Sequence, residues 1–166
     1  MRPQDIVVLL KIASHQDETW QQIPVAKQLG LSQSEMSKSL NRSKYAGLID
    51  ETGRKVRKLA LMDFIQYGLP YVFPQRPGSI VRGVPTAHSA PPLNKQIKSD
   101  EAYVWPYSKG SVRGQSISPL YKTVPEATEH DLALYELLAL VDAIRLGSSR
   151  EKKLAISEMK KRICTP

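Results

Sequence analysis

The chain has a single cysteine, Cys164, so an intrachain disulfide, a CxxC redox pair and a zinc ribbon are all excluded. Its three histidines, His15, His88 and His130, are too far apart in sequence for metal-ligand spacing. No apolar run reaches the roughly 20 residues that cross a bilayer; the longest candidate is Leu132–Leu146. Asp5 and Lys11 bracket the apolar patch at residues 6–10, which argues against a signal peptide. Walker, GxGxxG, GxSxG and HExxH motifs are missing. His88 alone is not the constellation that catalysis needs. These absences lead to the expectation of a cytoplasmic protein, not an enzyme, with no metal, no cofactor and no membrane association.

Negative charge is also scarce: 16 acidic residues face 24 Lys and Arg, a formal net charge of +8. A positive field favours polyanionic partners, of which nucleic acid is the commonest. The excess is unevenly spread. Residues 1–70 hold ten cations against seven acids, residues 71–125 seven against two, and residues 126–166 seven against seven. The basic character belongs to the first two segments, and the last reads as a neutral structural element.

The apolar pattern predicts a mainly α chain in three parts. Residues 1–69 read as a helical domain. Pro3 opens a helix with Ile6, Leu9, Leu10 and Ala13 on one face, and Pro24 opens a second that stops at Gly30. A third runs from Ser32 to about Ala46, and a fourth from Arg57 to Tyr67 with Leu59, Ala60, Phe64 and Tyr67 at helical spacing. Residues 70–125 form a proline-rich region. Residues 126–166 read as a helical hairpin, with Asp131 capping residues 132–146 and Ser148 or Ser149 capping a last helix. Leu134, Leu137, Leu138, Val141 and Ile144 cover most of the first of these helices, so a partner subunit is expected to bury them and the chain is expected to be a homodimer.

The segment at residues 19–49 meets the requirements of a helix-turn-helix. Gly30 can take the positive φ of a tight turn, and Leu29 and Leu31 can fill the space between two helices. Ser32 and Glu35 have the spacing of a capping box. Met36, Leu40 and Ser43 recur on the inner face. Gln33, Ser34, Ser37, Lys38, Asn41 and Arg42 then face outward, a short polar and cationic surface suited to base edges and phosphates. The run Leu29-Gly30-Leu31-Ser32, with Ser34, Met36, Ser37, Lys38 and Leu40 and then Gly47-Leu48-Ile49, resembles the helix-turn-helix of MarR-like winged-helix bacterial regulators. The resemblance covers residues 3–49. It implies a reading helix in the major groove, a β-hairpin wing and a dimer. Residues 50–55 are too short for a full wing, so Arg54, Lys55, Arg57 and Lys58 either stand in for it on DNA phosphates or form a solvated basic turn.

Two stretches of the proline-rich region echo one another. Tyr71-Val72-Phe73-Pro74 precedes Gly78-Ser79-Ile80-Val81-Arg82-Gly83, and Tyr103-Val104-Trp105-Pro106 precedes Gly110-Ser111-Val112-Arg113-Gly114. Each reads as strand, turn, strand, which predicts two small β-hairpins; chance reuse of strand and turn residues is the alternative. Tyr71, Phe73, Tyr103, Trp105 and Tyr107 suit packing better than stacking on bases beside Arg82 and Arg113. The sequence therefore predicts a dimeric, sequence-specific transcriptional regulator, a repressor, that binds double-stranded DNA. The competing expectation is an antitoxin or adaptor that grips a protein partner through residues 70–125 and binds DNA only for autoregulation.

Overall fold

The computed structural model describes residues 1–165 and is mostly helical with a small three-stranded sheet. Helix α1 (Pro3–Ser14) begins at Pro3, and residues 5–13 are all buried, not one face alone. It packs between α3 (Gln33–Tyr45), α7 (Leu132–Leu146) and α8 (Ser149–Ile163). Lys11 donates to Asp131, the α7 N-cap, at 2.6 Å, which fixes the two central helices end to end. None of the helices among the described residues is long and apolar enough to cross a membrane.

The apolar face of α7 is covered by its own chain. Leu134, Leu137, Leu138, Val141 and Ile144 are each no more than 3% exposed, packed by α1, α4 (Lys58–Tyr67), α5 (Leu69–Val72), α8 and a 3-10 turn at Ala87–Ser89. The burial that made a partner subunit necessary in the sequence reading is thus supplied within one molecule. Buried residues from all three expected segments, among them Leu10, Leu69, Trp105, Leu120 and Leu138, belong to one continuous core.

Helix α4 presents a different face from the one its periodicity suggested. Leu61, Met62 and Ile65 are buried, whereas Leu59 and Tyr67 are exposed. The core stripe continues through Leu69 into α5, and this continuation also removes the first expected hairpin. Pro70 sits in the first turn of α5, where its fixed φ suits a helix. The amides of Val72 and Phe73 bond to Gly68 and Leu69 carbonyls. With Tyr71 83% exposed, no neighbouring strand rewards the β preference of this segment.

Three strands remain: β1 (Ile80–Pro85), β2 (Tyr103–Pro106) and β3 (Val112–Ser116), closed into a small barrel. The first half of β1 pairs antiparallel with β3 and its second half with β2, while β2 and β3 pair in parallel. The second expected hairpin therefore does not form either, and its two strands meet β1 instead. The closure depends on glycine. A Cβ on Gly83 would lie 1.9 Å from the Trp105 carbonyl oxygen, and one on Gly114 would lie 2.5 Å from that of Ala102. The barrel is fastened to α7 by polar groups. The Asp142 carboxylate accepts from Trp105 Nε1 at 2.6 Å, Thr86 Oγ1 at 2.7 Å and Arg145 Nη1 at 2.9 Å. Arg145 also donates to the carbonyls of Phe73 and Ser118, and Tyr135 donates to that of Pro85.

Candidate nucleic-acid interface

Helices α2 (Gln22–Gln28) and α3 meet at a tight turn in which Gly30 takes a φ of +67°, as the turn requires. Leu29 and Leu31 are buried on either side of it. The capping box is present: the Ser32 hydroxyl accepts the Glu35 amide at 3.1 Å, and the Glu35 carboxylate accepts the Ser32 amide at 2.8 Å. That arrangement leaves the amides of Gln33 and Ser34 without a partner among the described residues, at the positive end of α3.

Met36, Ser39, Leu40 and Ser43 form the buried side of α3. On the opposite side Gln33, Ser34, Ser37, Lys38 and Asn41 are exposed, and Tyr45 at the last turn is almost fully exposed. Ser37 accepts from Gln22 Nε2 at 2.8 Å, which ties α2 to this face. The side chains of Gln33, Ser34, Lys38 and Asn41 make no hydrogen bond or ion pair with other described residues. Their donors and acceptors are free for a ligand.

Arg42 is placed differently from the other expected contact residues. Its Nε and Nη2 donate to the two carboxylate oxygens of Asp5 at 2.9 and 2.7 Å, and Ser39 Oγ donates to the same carboxylate at 2.6 Å. The group is a brace between α1 and α3, with Asp5 fully buried and the Arg42 side chain 25% exposed. Desolvation works to raise the Asp5 pKa, but bonds from Arg42, Ser39 and the Arg2 amide outweigh it and hold the carboxyl below its ordinary range.

The basic run at residues 54–58 includes the return arm of a minimal hairpin closed by a single bridge between Ile49 and Val56. The Asp50 carboxylate builds the turn by accepting the amides of Lys55 and Arg54 and the Thr52 hydroxyl. These bonds, that of the Lys55 amide foremost, keep its pKa below the usual range. Arg54 lies over the Trp20 ring at 5.2 Å and donates to the Trp20 carbonyl, while Trp20 Nε1 donates back to the Arg54 carbonyl. Arg54, Lys55, Arg57 and Lys58 are all exposed and line one open groove of about 790 Å³ with Ile12, Ala13 and Val56. Only Lys55 among them has an acidic partner, Glu18 at 3.7 Å, and both side chains are mostly in water.

One group of residues at this face has no local sequence signal. Thr123 Oγ1 donates to the Leu29 carbonyl at 2.7 Å, and its methyl would meet a Cβ on Gly30 at 3.1 Å. Tyr121 Oη lies 3.5 Å from the Glu35 carboxylate. The Ser32 amide and hydroxyl hold the Glu35 pKa down, and exposed Lys122 adds to that effect. Residues 121–123, which lead into the short helix α6 (Val124–Ala127), therefore buttress the α2–α3 turn from a distant part of the chain and bring one more cation beside the start of α3. Only the tertiary fold brings them there.

Of His88 and the aromatic candidates that remain, Tyr71 is exposed, against the packing role expected of it, and the others are buried or half-buried. His88 is buried, its Nε2 2.9 Å from the Glu101 carbonyl oxygen and its ring 4.6 Å from that of Tyr103. Trp105 is buried and Phe73 and Tyr103 pack against the core, so these aromatics serve packing. No protein-family model matches the chain, and neither a curated protein nor a solved structure matches it.

Proposed function

We propose that the chain binds double-stranded DNA by inserting α3, as the second helix of a helix-turn-helix, into the major groove. The observation that carries this reading is the exposed row Gln33, Ser34, Ser37, Lys38 and Asn41 on a helix whose other side is anchored in the core. Their side chains are short or flexible hydrogen-bonding groups suited to base edges, and the free amides of Gln33 and Ser34 suit a backbone phosphate. Arg54, Lys55, Arg57, Lys58 and Lys122 add phosphate contacts without sequence preference. Arg42 acts here as a positioning residue that fixes the angle of α3 through Asp5. Control of transcription at specific sites is the function this geometry would serve.

A competing reading, a module that grips a protein through residues 70–125, draws on the exposure of Tyr71, Val72 and Ile80 in that region. The test is anisotropy on duplex DNA across a salt series. Lys38→Ala should lower the slope of log affinity against log salt by about one. Asn41→Ala should leave the slope alone and relax preference at one base position, by about 1–3 kcal/mol. A folded Lys38→Ala/Asn41→Ala double variant that binds like the wild type would remove α3 from the interface and favour the protein-binding module.

A further inference from the structure

The two Val-Arg-Gly triplets of β1 and β3 pair with one another in a self-complementary register. Val81 lies opposite Gly114, Arg82 opposite Arg113, and Gly83 opposite Val112. A local twofold axis therefore passes between Arg82 and Arg113. Alternation along a strand sends Gly83 and Gly114 to one face and the two arginines to the other. The glycines are accounted for by the close approach of β2 and the segment before it. The arginines are accounted for by nothing inside the chain.

Both are exposed, and neither guanidinium has a hydrogen bond or an ion pair with any described residue. Arg42, Arg54, Arg145 and Arg162, by contrast, each bond to carboxylates or carbonyls. Like charges directly opposite in an antiparallel ladder destabilise it. Neighbours on the chain do not offset this: residues 71–125 contain only Asp100 and Glu101 as acids, and none of the seven cations there forms a salt bridge among the described residues. On the same face, Gln115 lies opposite Ile80 and adds a half-buried amide.

We propose that Arg82 and Arg113 form a phosphate-binding pincer, two guanidinium forks converging on one tetrahedral anion across the local twofold axis. Guanidinium groups match phosphate oxygens in bidentate geometry, and one anion between them turns a mutual repulsion into two attractions. The inference stands on the β1–β3 ladder and does not require α3 to be a reading helix. The phosphate can belong to a nucleic-acid backbone or to a free polyphosphate. Arg113 and Lys122, the latter at the α3 end, are nine positions apart in the chain, a span of at most about 30 Å.

The test compares the wild type with Arg82→Gln/Arg113→Gln and Arg82→Lys/Arg113→Lys on two probes. With duplex DNA, the glutamine pair should lower the salt slope by about one, at roughly 0.9 for the single lost phosphate contact, and the lysine pair should keep it. With inorganic pyrophosphate alone, a rise in melting temperature in the wild type that vanishes in the glutamine pair identifies a free phosphate as ligand. A Lys38→Ala variant whose salt slope is unchanged, with the arginine effect intact, would overturn the α3 reading and leave the pincer standing. A folded glutamine pair that matches the wild type on both probes overturns the pincer. So does a glutamine pair that melts lower than the wild type in ligand-free buffer, since the opposed charges should make it melt no lower.

Discussion

Beneath the α3 face, Asp5 reaches from one helix to Arg42 on another; where β2 and the end of β1 meet α7, Asp142 pairs with Arg145 three residues along the same helix. Both pairs brace the fold from inside. They differ in how far water reaches. Arg42 is a quarter exposed and Asp5 gathers four bonds, so the Asp5 carboxyl sits below its ordinary range. Asp142 and Arg145 are both almost wholly enclosed, and burial pushes the Asp142 carboxyl up against the pull of Arg145, Thr86 and Trp105. The same two side-chain types thus give opposite proton linkage, and the balance of desolvation against bonding decides which.

The largest effect is expected at the enclosed pair. Asp142→Ala leaves Arg145 charged and unmatched in the core and strands the Trp105 and Thr86 donors, at a cost of about 3–5 kcal/mol in urea unfolding. If Asp142→Ala cost under 1 kcal/mol, the pair would not be the fastening of the barrel to α7. Asp5→Asn should cost about 2 kcal/mol, less because Arg42 can turn to water.

The two variants should also separate in pH. A lowered folded-state pKa means that Asp5 contributes stability above the unfolded value near 3.8 and loses it as pH falls through the lower folded value. Asp5→Asn should therefore flatten the acid limb of the stability curve. The raised pKa of Asp142 has the opposite sign: its linkage favours the fold below the unfolded value and fades as pH rises through the folded one. Urea midpoints from pH 2.5 to 6 would resolve the two, and parallel curves would cancel the contrast.

Smaller effects sharpen the description of the α3 face. Ser32→Ala removes the cap and should cost about 1 kcal/mol, with Ser32→Gly closer to neutral. Thr123→Val, which removes the bond to the Leu29 carbonyl, should cost about 0.5–1.5 kcal/mol and leave the barrel intact. Amide exchange would localise it: faster exchange confined to the α2–α3 turn is expected, and faster exchange in β1–β3 would contradict the assignment.

How much of this was legible follows the range of the interactions. The caps of α3, α7 and α8 and the positive φ of Gly30 are set by residues within four positions, and the sequence reading found each of them. Arg42 was read as a DNA contact because its partner Asp5 lies 37 residues away on a helix whose full burial was not apparent. The segment at Tyr71-Val72-Phe73 has strand-forming side chains, yet Pro70 and the anchored Leu69 turn it into α5. Helix α7 carries a further legible signal. Tyr135, Asp142 and Arg145 fall on one helical face, the mark of a polar docking stripe within a leucine-rich helix.

The embrace of Trp20 and Arg54 makes the molecule its own optical instrument. The chain's two tryptophans fall one to each region, Trp105 inside the Asp142 cluster and Trp20 beneath a guanidinium at the edge of the basic groove. An anion that draws Arg54 off the indole changes the emission of Trp20 and leaves that of Trp105 untouched, so occupancy of the groove and integrity of the barrel can be read as separate components of one spectrum.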